Sequence, residues 1–225
     1  MEISTFTTVI EMLGTIAFAI SGIRLAAAKS FDWFGAYMVG FATAIGGGTL
    51  RDLLIGQPVF WMGSWIYIAV TGLSLLTVII FRQVLVKGFR TLFIFDAIGL
   101  ALFVVVGIEK SLAAGYQMWV AIIMGMITGS FGGIVRDILI RELPLFFRKD
   151  IYATACLAGG IIYAIVHELG LDSIACEIIC ATVVIGLRVL AVRYGWSLPI
   201  LHIEPESLPD DGHPKSNNKC KTTKN

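Results

Sequence analysis

Two short motifs of the same kind place an arginine and an aspartate one helical turn after a cluster of glycines. Segment 46–52 reads Gly-Gly-Gly-Thr-Leu-Arg-Asp, and segment 131–137 reads Phe-Gly-Gly-Ile-Val-Arg-Asp. Neighbouring arginine and aspartate side chains form ion pairs or bind ions, and glycine clusters let backbone oxygens face a cation. The residues that could do this chemistry are Gly46, Gly47, Gly48, Arg51 and Asp52 in the first motif, and Gly132, Gly133, Arg136 and Asp137 in the second.

Both charge pairs directly follow long apolar stretches, since residues 33–50 and 111–135 contain no Asp, Glu, Lys or Arg. A charge within a membrane is costly and is by default functional. Two interpretations stay open. In one, Arg51 and Arg136 gate an ion path and are each held by the neighbouring aspartate. In the other, the Arg-Asp pairs lock helices together.

The glycine clusters also have two interpretations. Glycines weaken a helix, so a kink near mid-membrane could turn backbone oxygens towards a hydrated cavity. The alternative is tight helix packing, because small residues recur every four positions within 40–48 and 125–133. Thr43 and Thr128, one turn earlier, could add hydroxyl ligands to an ion path or could bond back to helical carbonyls.

The remaining sequence offers no enzyme chemistry. The glycine run lacks the Gly-Lys-Ser/Thr of a phosphate-binding loop. No His-x-x-x-His, Cys-x-x-Cys or Ser/His/Asp arrangement occurs, and three of the four cysteines lie in apolar stretches, as small buried hydrophobes do. We therefore expect no catalytic residue, metal site or cofactor.

The composition is typical of a chain that crosses a membrane several times. Of the 225 residues, 57% are apolar and only 15% are charged, against about 25% charged in a soluble domain. The net charge of +1 gives no reason to expect a nucleic-acid partner. The apolar runs predict seven transmembrane helices near residues 6–25, 33–57, 64–81, 91–108, 117–142, 151–168 and 173–192.

The sequence repeats itself at an offset of 85 residues, with 9–67 matching 94–152. Each copy holds three predicted helices, an odd number, so the second copy enters the membrane from the opposite side. Glu11 and Asp96 coincide in the two copies and could partner the arginines across the repeat interface. We predict an all-α protein with two inverted three-helix repeats, 1–90 and 91–172, a seventh helix at 173–198 and a disordered cytoplasmic tail at 199–225.

The basic residues predict the orientation. With Arg51 and Arg136 set aside as lying within spans, an outside N-terminus leaves fourteen Lys and Arg on the cytoplasmic side and only Lys110 outside. The first residues lack a cationic region and a small-residue cleavage site, so we expect no removable signal peptide. The predicted location is the inner membrane, with the N-terminus outside and the C-terminus in the cytoplasm.

The duplicated Gly-Gly-x-x-Arg-Asp motif and the three-plus-three-plus-one helices with an outside N-terminus resemble the trimeric intracellular cation (TRIC) channel family. The likeness is to its bacterial branch, also labelled glycine transporter, and covers roughly residues 5–195. It implies a homotrimer with one pore per protomer, bordered by kinked second and fifth helices and conducting monovalent cations. Segment 82–90 lacks the Lys-Glu-Val signature that animal members use to bind inositol lipids.

The sequence therefore favours a K⁺ channel gated near the Arg-Asp pairs, with permeant K⁺ or Na⁺ bound near the glycine kinks. The alternative is a secondary transporter of a small zwitterion such as glycine, in which arginine binds the carboxylate and an acid binds the amine. A structural membrane subunit ranks third and an intramembrane enzyme fourth. The expected partners are further copies of the chain, membrane lipids and permeant cations.

Overall fold

The computed structural model describes residues 5–81, 89–147 and 151–196. These residues form seven α-helices and two short 3₁₀ turns, with no strand among them. The helices are α1 (Thr5–Ala28), α2 (Trp33–Leu54), α3 (Ile66–Ile80), α4 (Phe89–Ala113), α5 (Met118–Leu139), α6 (Ala153–Glu168) and α7 (Ser173–Tyr194). The 3₁₀ turns Phe60–Gly63 and Leu145–Phe147 precede α3 and α6. The predicted all-α, seven-helix fold is confirmed, and the predicted tail at 199–225 lies outside the described residues.

Local sequence signals set several helix ends. The Asp32 carboxylate accepts a hydrogen bond from the Gly35 amide at 2.6 Å and so caps the start of α2. Asp172 caps α7 in the same way through the Ala175 amide, at 3.4 Å. α7 ends at Tyr194 and is followed by Gly195, whose φ of +64° lies in the left-handed region that favours glycine.

The helices expose apolar side chains, the reverse of a water-soluble bundle. α1, α4, α5 and α7 are each long and apolar enough to cross a membrane, whereas α3 and α6 are apolar but have only 15 and 16 residues. The large exposed apolar residues include Val9, Leu13, Phe34, Leu73, Ile80, Trp119, Ile161, Ile178 and Val192. This surface suits contact with lipid chains, because the bilayer core contains no water to solvate polar side chains.

α2 and α5 cross in direct backbone contact at the two glycine clusters. A Cβ added to Gly47 would overlap the carbonyl oxygen of Thr128, and one added to Gly132 would overlap the carbonyl oxygen of Thr43. Position 47 thus faces 128 while 43 faces 132, so the two helices run antiparallel. These two contacts are equivalent under the 85-residue repeat, since 47 matches 132 and 43 matches 128.

α1 and α4 pack with the same reciprocal register. The rings of Phe18 and Phe103 stack with centroids 5.3 Å apart and lie 85 residues apart in sequence. Gly14 contacts the Phe103 ring, and Gly99 lies against the Phe18 ring. Antiparallel contacts between equivalent helices are what an inverted repeat requires, although the membrane orientation stays a prediction.

The second and fifth helices are not broken at their glycine clusters. α2 and α5 continue as α-helix through Gly46–Gly48 and Gly132–Gly133. They end at Leu54 and Leu139, three residues before the predicted ends of these spans. These glycines pack against neighbouring backbone and side chains instead of open space, and this packing outweighs glycine's low helix propensity.

Candidate functional site

Each Arg-Asp pair lies in the last turn of its helix, and its aspartate holds the chain that follows. Asp52 Oδ2 accepts a hydrogen bond from the Phe60 amide at 2.9 Å, and Asp137 Oδ2 accepts one from the Leu145 amide at 3.0 Å. The 3₁₀ turns therefore fold back against the ends of α2 and α5. Asp52 and Asp137 are buried and have a structural role as well as a charge.

The first pair lies in a group that we call the Glu11 cluster, formed by Glu11, Arg51, Asp52, Tyr67 and Lys110. Arg51 is fully buried, and its Nε lies 2.8 Å from Asp52 Oδ1. Lys110 Nζ lies 2.5 Å from Glu11 Oε1, while Arg51 Nη2 is 3.7 Å from the same oxygen. The Tyr67 hydroxyl donates to the other Glu11 oxygen at 3.2 Å. Two acids and two bases make the cluster formally neutral.

The second pair lies in the Asp96 cluster, formed by Asp96, Arg136, Asp137, Arg188 and Ser21. Arg136 is fully buried and binds Asp137 Oδ1 through Nε at 2.8 Å. Its Nη1 lies 2.5 Å from Asp96 Oδ1 and donates to the Ser21 hydroxyl at 2.8 Å. Arg188 Nη2 lies 3.8 Å from Asp96 Oδ2. This cluster also pairs two acids with two bases.

Glu11 and Asp96 do contact the arginines, but the predicted pairing across the repeat interface is wrong. Glu11 on α1 meets Arg51 on α2, and Asp96 on α4 meets Arg136 on α5, so each pair stays within its own repeat. The first two helices of each repeat pack side by side, which brings the acid to the arginine. The polar contacts between repeats come instead from Lys110, which reaches Glu11, and from Arg136, which donates to the Ser21 hydroxyl.

Sequence reasoning missed Lys110 and Arg188 as members of these clusters. Each occupies a position that the 85-residue repeat does not duplicate: Lys110 corresponds to Leu25, and Arg188 lies on α7, beyond the repeat. The available signal for Arg188 was its charge inside a predicted span. For Lys110 it was that no other basic residue lies on the predicted outer side. Aromatic rings flank both, with Phe60 5.2 Å from Lys110 and Tyr152 4.7 Å from Arg188.

The two threonines considered as ligands of an ion path bond back to their own helices. The hydroxyls of Thr43 and Thr128 donate to the carbonyls of Val39 and Met124, each at 2.6 Å, and both residues are buried. This is the alternative in which a threonine bonds back to its own helix.

The glycines of the motifs face different surroundings. Gly47 and Gly132 lie in the helix crossing, and Gly133 packs against the hydroxyl of Tyr152. Gly46 instead lines an outward apolar groove of about 300 Å³ beside Val135. Gly48 packs against the ring of Phe60. Gly46, Gly47 and Gly132 therefore all lie where α2 and α5 meet, but only at positions 47 and 132 would an added Cβ overlap a backbone carbonyl oxygen.

A cavity of about 470 Å³ opens beside the Asp96 cluster. Asp96, Arg136, Asp137, Glu142 and Arg188 supply its charged lining. The rest of its wall is largely apolar and comes from α1, α4, α5 and α7. The cavity thus brings buried carboxylates and their arginine partners next to a space large enough for several water molecules.

The sequence pattern of one known protein family matches the chain twice. The sequence pattern of the family described as "Glycine transporter" matches residues 8–83 and again residues 93–168. The two matches are offset by 85 residues, the offset at which the sequence repeats itself. Together they cover more than half of the chain, and the description is the family's label.

Bacterial relatives share much of the sequence. The UPF0126 membrane protein of Vibrio cholerae serotype O1 is 41% identical over 192 residues, which are 84% of this chain and 80% of the relative. The UPF0126 inner membrane protein YadS of Escherichia coli K12 is 37% identical over 198 residues, which are 87% of this chain and 96% of the relative.

Solved structures of TRIC channels share the fold. The TRIC trimeric intracellular cation channel orthologue from Rhodobacter sphaeroides matches with a TM-score of 0.81 and 32% identity, over 85% of this chain and 100% of that one. A prokaryotic TRIC channel studied in 0.5 M KCl matches with a TM-score of 0.77 and 30% identity, over 86% and 98%. With the duplicated motif, the seven helices and these relatives in agreement, the chain belongs to the bacterial branch of the TRIC channel family.

Proposed function

We propose that this protein is a cation channel that conducts K⁺ through one pathway per protomer of a homotrimer in the bacterial inner membrane. The observation that carries the proposal is the cavity of about 470 Å³ that ends on Asp96, Arg136 and Asp137. Similarity at 32% identity to TRIC cation channels supports conduction of cations. The protein belongs to a channel family and is not an enzyme.

The charges of this cavity suit a cation entrance. Three carboxylates, from Asp96, Asp137 and Glu142, lie on its wall. Arg136 pairs with Asp96 and Asp137, Arg188 lies near Asp96, and Glu142 pairs with Lys29, so no uncompensated positive charge of these groups repels an entering cation. Apolar walls around such a group strengthen its field on an entering ion, since they screen it poorly.

The crossing of α2 and α5 supplies the barrier to conduction. No methyl group fits between Gly47 and Thr128 or between Gly132 and Thr43, so a hydrated cation does not pass between these helices in this conformation. The Glu11 and Asp96 clusters tie the ends of α2 and α5 to α1 and α4. We infer that the clusters hold the crossing shut and that opening requires at least one of them to rearrange.

Recordings from purified protein in a planar bilayer under a K⁺ gradient test this function. We expect unitary currents whose reversal potential follows the K⁺ gradient and which do not need added glycine. The matched control is the protein with Arg136→Glu, which places a third acid beside Asp96 and Asp137 and should disrupt assembly. Silent membranes under K⁺, together with glycine uptake by reconstituted vesicles, would contradict the channel.

The Asp96 cluster also gives one reason to keep a carrier as the second candidate. Arg188 Nε and Asp96 Oδ2 are buried and have no hydrogen-bond partner among the described residues. Both residues line the cavity, so an arginine could bind a carboxylate while an acid binds an amine. A carrier predicts that glycine binds the purified protein and that no unitary current accompanies its uptake.

The predicted orientation can be tested by labelling single cysteines with a membrane-impermeant reagent. Gln57, Gln117 and Ser30 are exposed positions in the connections after α2, after α4 and after α1. In a Cys220→Ser background, cysteines at Gln57 and Gln117 should react from outside and one at Ser30 only from inside. The native Cys156, Cys176 and Cys180 are buried and serve as the unlabelled control. Reaction of all three introduced cysteines from the same side would contradict the inverted repeat.

A further inference from the structure

Two glutamates lie together where α1, α4, α6 and α7 meet, away from both arginine clusters. The carboxylate of Glu109 on α4 accepts hydrogen bonds from the Tyr163 hydroxyl of α6 and, at 3.0 Å, from the Ser173 hydroxyl of α7. Glu177 lies one turn beyond Ser173, on the same face of α7. Its Oε1 accepts a hydrogen bond from the Thr7 hydroxyl of α1 at 3.2 Å. We call these residues the Glu109–Glu177 site.

Glu177 is the unexplained member of this site. Its side chain is fully buried, and its Oε2 has no hydrogen-bond partner in the described part of the chain. Glu109 is close enough for its negative charge to repel a negative charge on Glu177. An unpaired, charged carboxylate in such a place costs several kcal/mol, so a buried acid is normally paired, protonated or bound to a cation.

No base of the described residues compensates this charge. Neither Glu109 nor Glu177 lies within ion-pair distance of a described lysine or arginine. Lys110 is next to Glu109 in sequence, but its amine lies 2.5 Å from Glu11 in the other cluster. His167 stacks on Tyr163 with ring centroids 6.2 Å apart and is exposed. The site thus offers two carboxylates and three hydroxyls without a neutralising partner.

We propose that the Glu109–Glu177 site binds a divalent cation of the Ca²⁺ type. Two carboxylates match its charge, and Ca²⁺ takes carboxylate and other oxygen ligands in flexible geometry with water completing the shell. Glu177 Oε2 is the oxygen left to bind it, and the hydroxyls of Tyr163, Ser173 and Thr7 position the two carboxylates. Oxygens without thiolate or imidazole partners favour such hard cations over Zn²⁺.

The site has no equivalent in the other repeat, unlike the two arginine clusters. The repeat partner of Glu109 is Arg24, and that of Tyr163 is Val78, so the other half of the protein has no equivalent site. Ser173 and Glu177 belong to α7, which has no repeat partner. A bound cation would join α7 to α1, α4 and α6, and would therefore stabilise the docking of the seventh helix.

Thermal unfolding of the full-length protein in detergent tests the proposal, with CaCl₂ as the probe in a constant excess of KCl. Ligand that binds only the folded state raises the Tm in proportion to the logarithm of its concentration. We expect such a rise for the wild type and for Glu168→Gln, which removes an exposed acid at the end of α6. Glu177→Gln should lose the rise.

The behaviour without calcium separates a ligand site from a merely structural glutamate. Glu177→Gln relieves the repulsion from Glu109, so its Tm without Ca²⁺ should equal or exceed that of the wild type. Glu109→Gln keeps an oxygen for Tyr163 and Ser173 and should also lose the response. The proposal is overturned if millimolar Ca²⁺ leaves the wild-type Tm unchanged, if Glu177→Gln still responds, or if acidification alone reproduces the stabilisation, since a proton then fills the role.

Discussion

Arg136→Gln is expected to destabilise the protein by about 3–5 kcal/mol, the cost of breaking a buried ion pair from one side. Arg136 is fully buried and contacts Asp96 at 2.5 Å, Asp137 at 2.8 Å and Ser21 at 2.8 Å. Glutamine keeps part of the stem but removes the charge, so two buried carboxylates remain with Arg188 alone nearby. The measurements are Tm and the fraction of assembled protein in size-exclusion chromatography.

A second substitution identifies which acid carries the cost. Asp96→Asn in the Arg136→Gln background should recover most of the lost stability, because it neutralises the acid closest to the missing guanidinium. Asp137→Asn should recover less, since Asp137 also accepts the Leu145 amide. Arg193→Gln removes an exposed arginine of α7 and is the control, with a Tm expected to match the wild type.

Currents from the surviving Arg136→Gln protein separate a gate from a structural lock. If the Asp96 cluster holds the helix crossing shut, the variant should conduct K⁺ with a higher open probability than the wild type. A lock with no gating role changes Tm and leaves the open probability of the assembled channels unaltered. A glycine carrier would lose uptake without any gain of current. Unchanged Tm, current and uptake would exclude Arg136 from the functional site.

Gly47→Ala should prevent normal assembly, whereas Gly46→Ala should be tolerated. A Cβ at Gly47 meets the backbone carbonyl of Thr128, which cannot rotate away as a side chain can. The expected loss is about 3 kcal/mol, the upper end for an overpacked core. The nearest atom to a Cβ at Gly46 is a methyl of Val135 at 3.5 Å, an ordinary contact. Tm and yield of monodisperse protein report the difference.

The repeat supplies an independent check on this pair. Gly132 faces the carbonyl of Thr43 as Gly47 faces that of Thr128, so Gly132→Ala should reproduce the loss of Gly47→Ala. Equal stability of the variants at positions 46 and 47 would show that the crossing is looser than described. Assembled, stable Gly47→Ala protein that no longer conducts would restore the interpretation in which the glycines serve the ion path directly.

The sequence by itself determined the class of the protein and the location of its charge pairs. Long uncharged apolar runs specify membrane helices because a bilayer accepts little else, and this holds without knowledge of the contacts between helices. The 85-residue repeat and the duplicated Gly-Gly-x-x-Arg-Asp motif identified Arg51, Asp52, Arg136 and Asp137 as the residues of interest. The structure places all four buried at the ends of α2 and α5.

Only the tertiary structure decided which partners these charges have and what the glycines do. Local sequence shows that glycine weakens a helix, but it does not show whether a neighbouring backbone will fill the space, as Thr128 does beside Gly47. The same holds for Lys110, which is 99 residues from Glu11 in sequence and 2.5 Å from it in space. Such contacts depend on how whole helices pack. The residues of one helix determine which of its faces is apolar, but they do not determine which other helix will pack against that face.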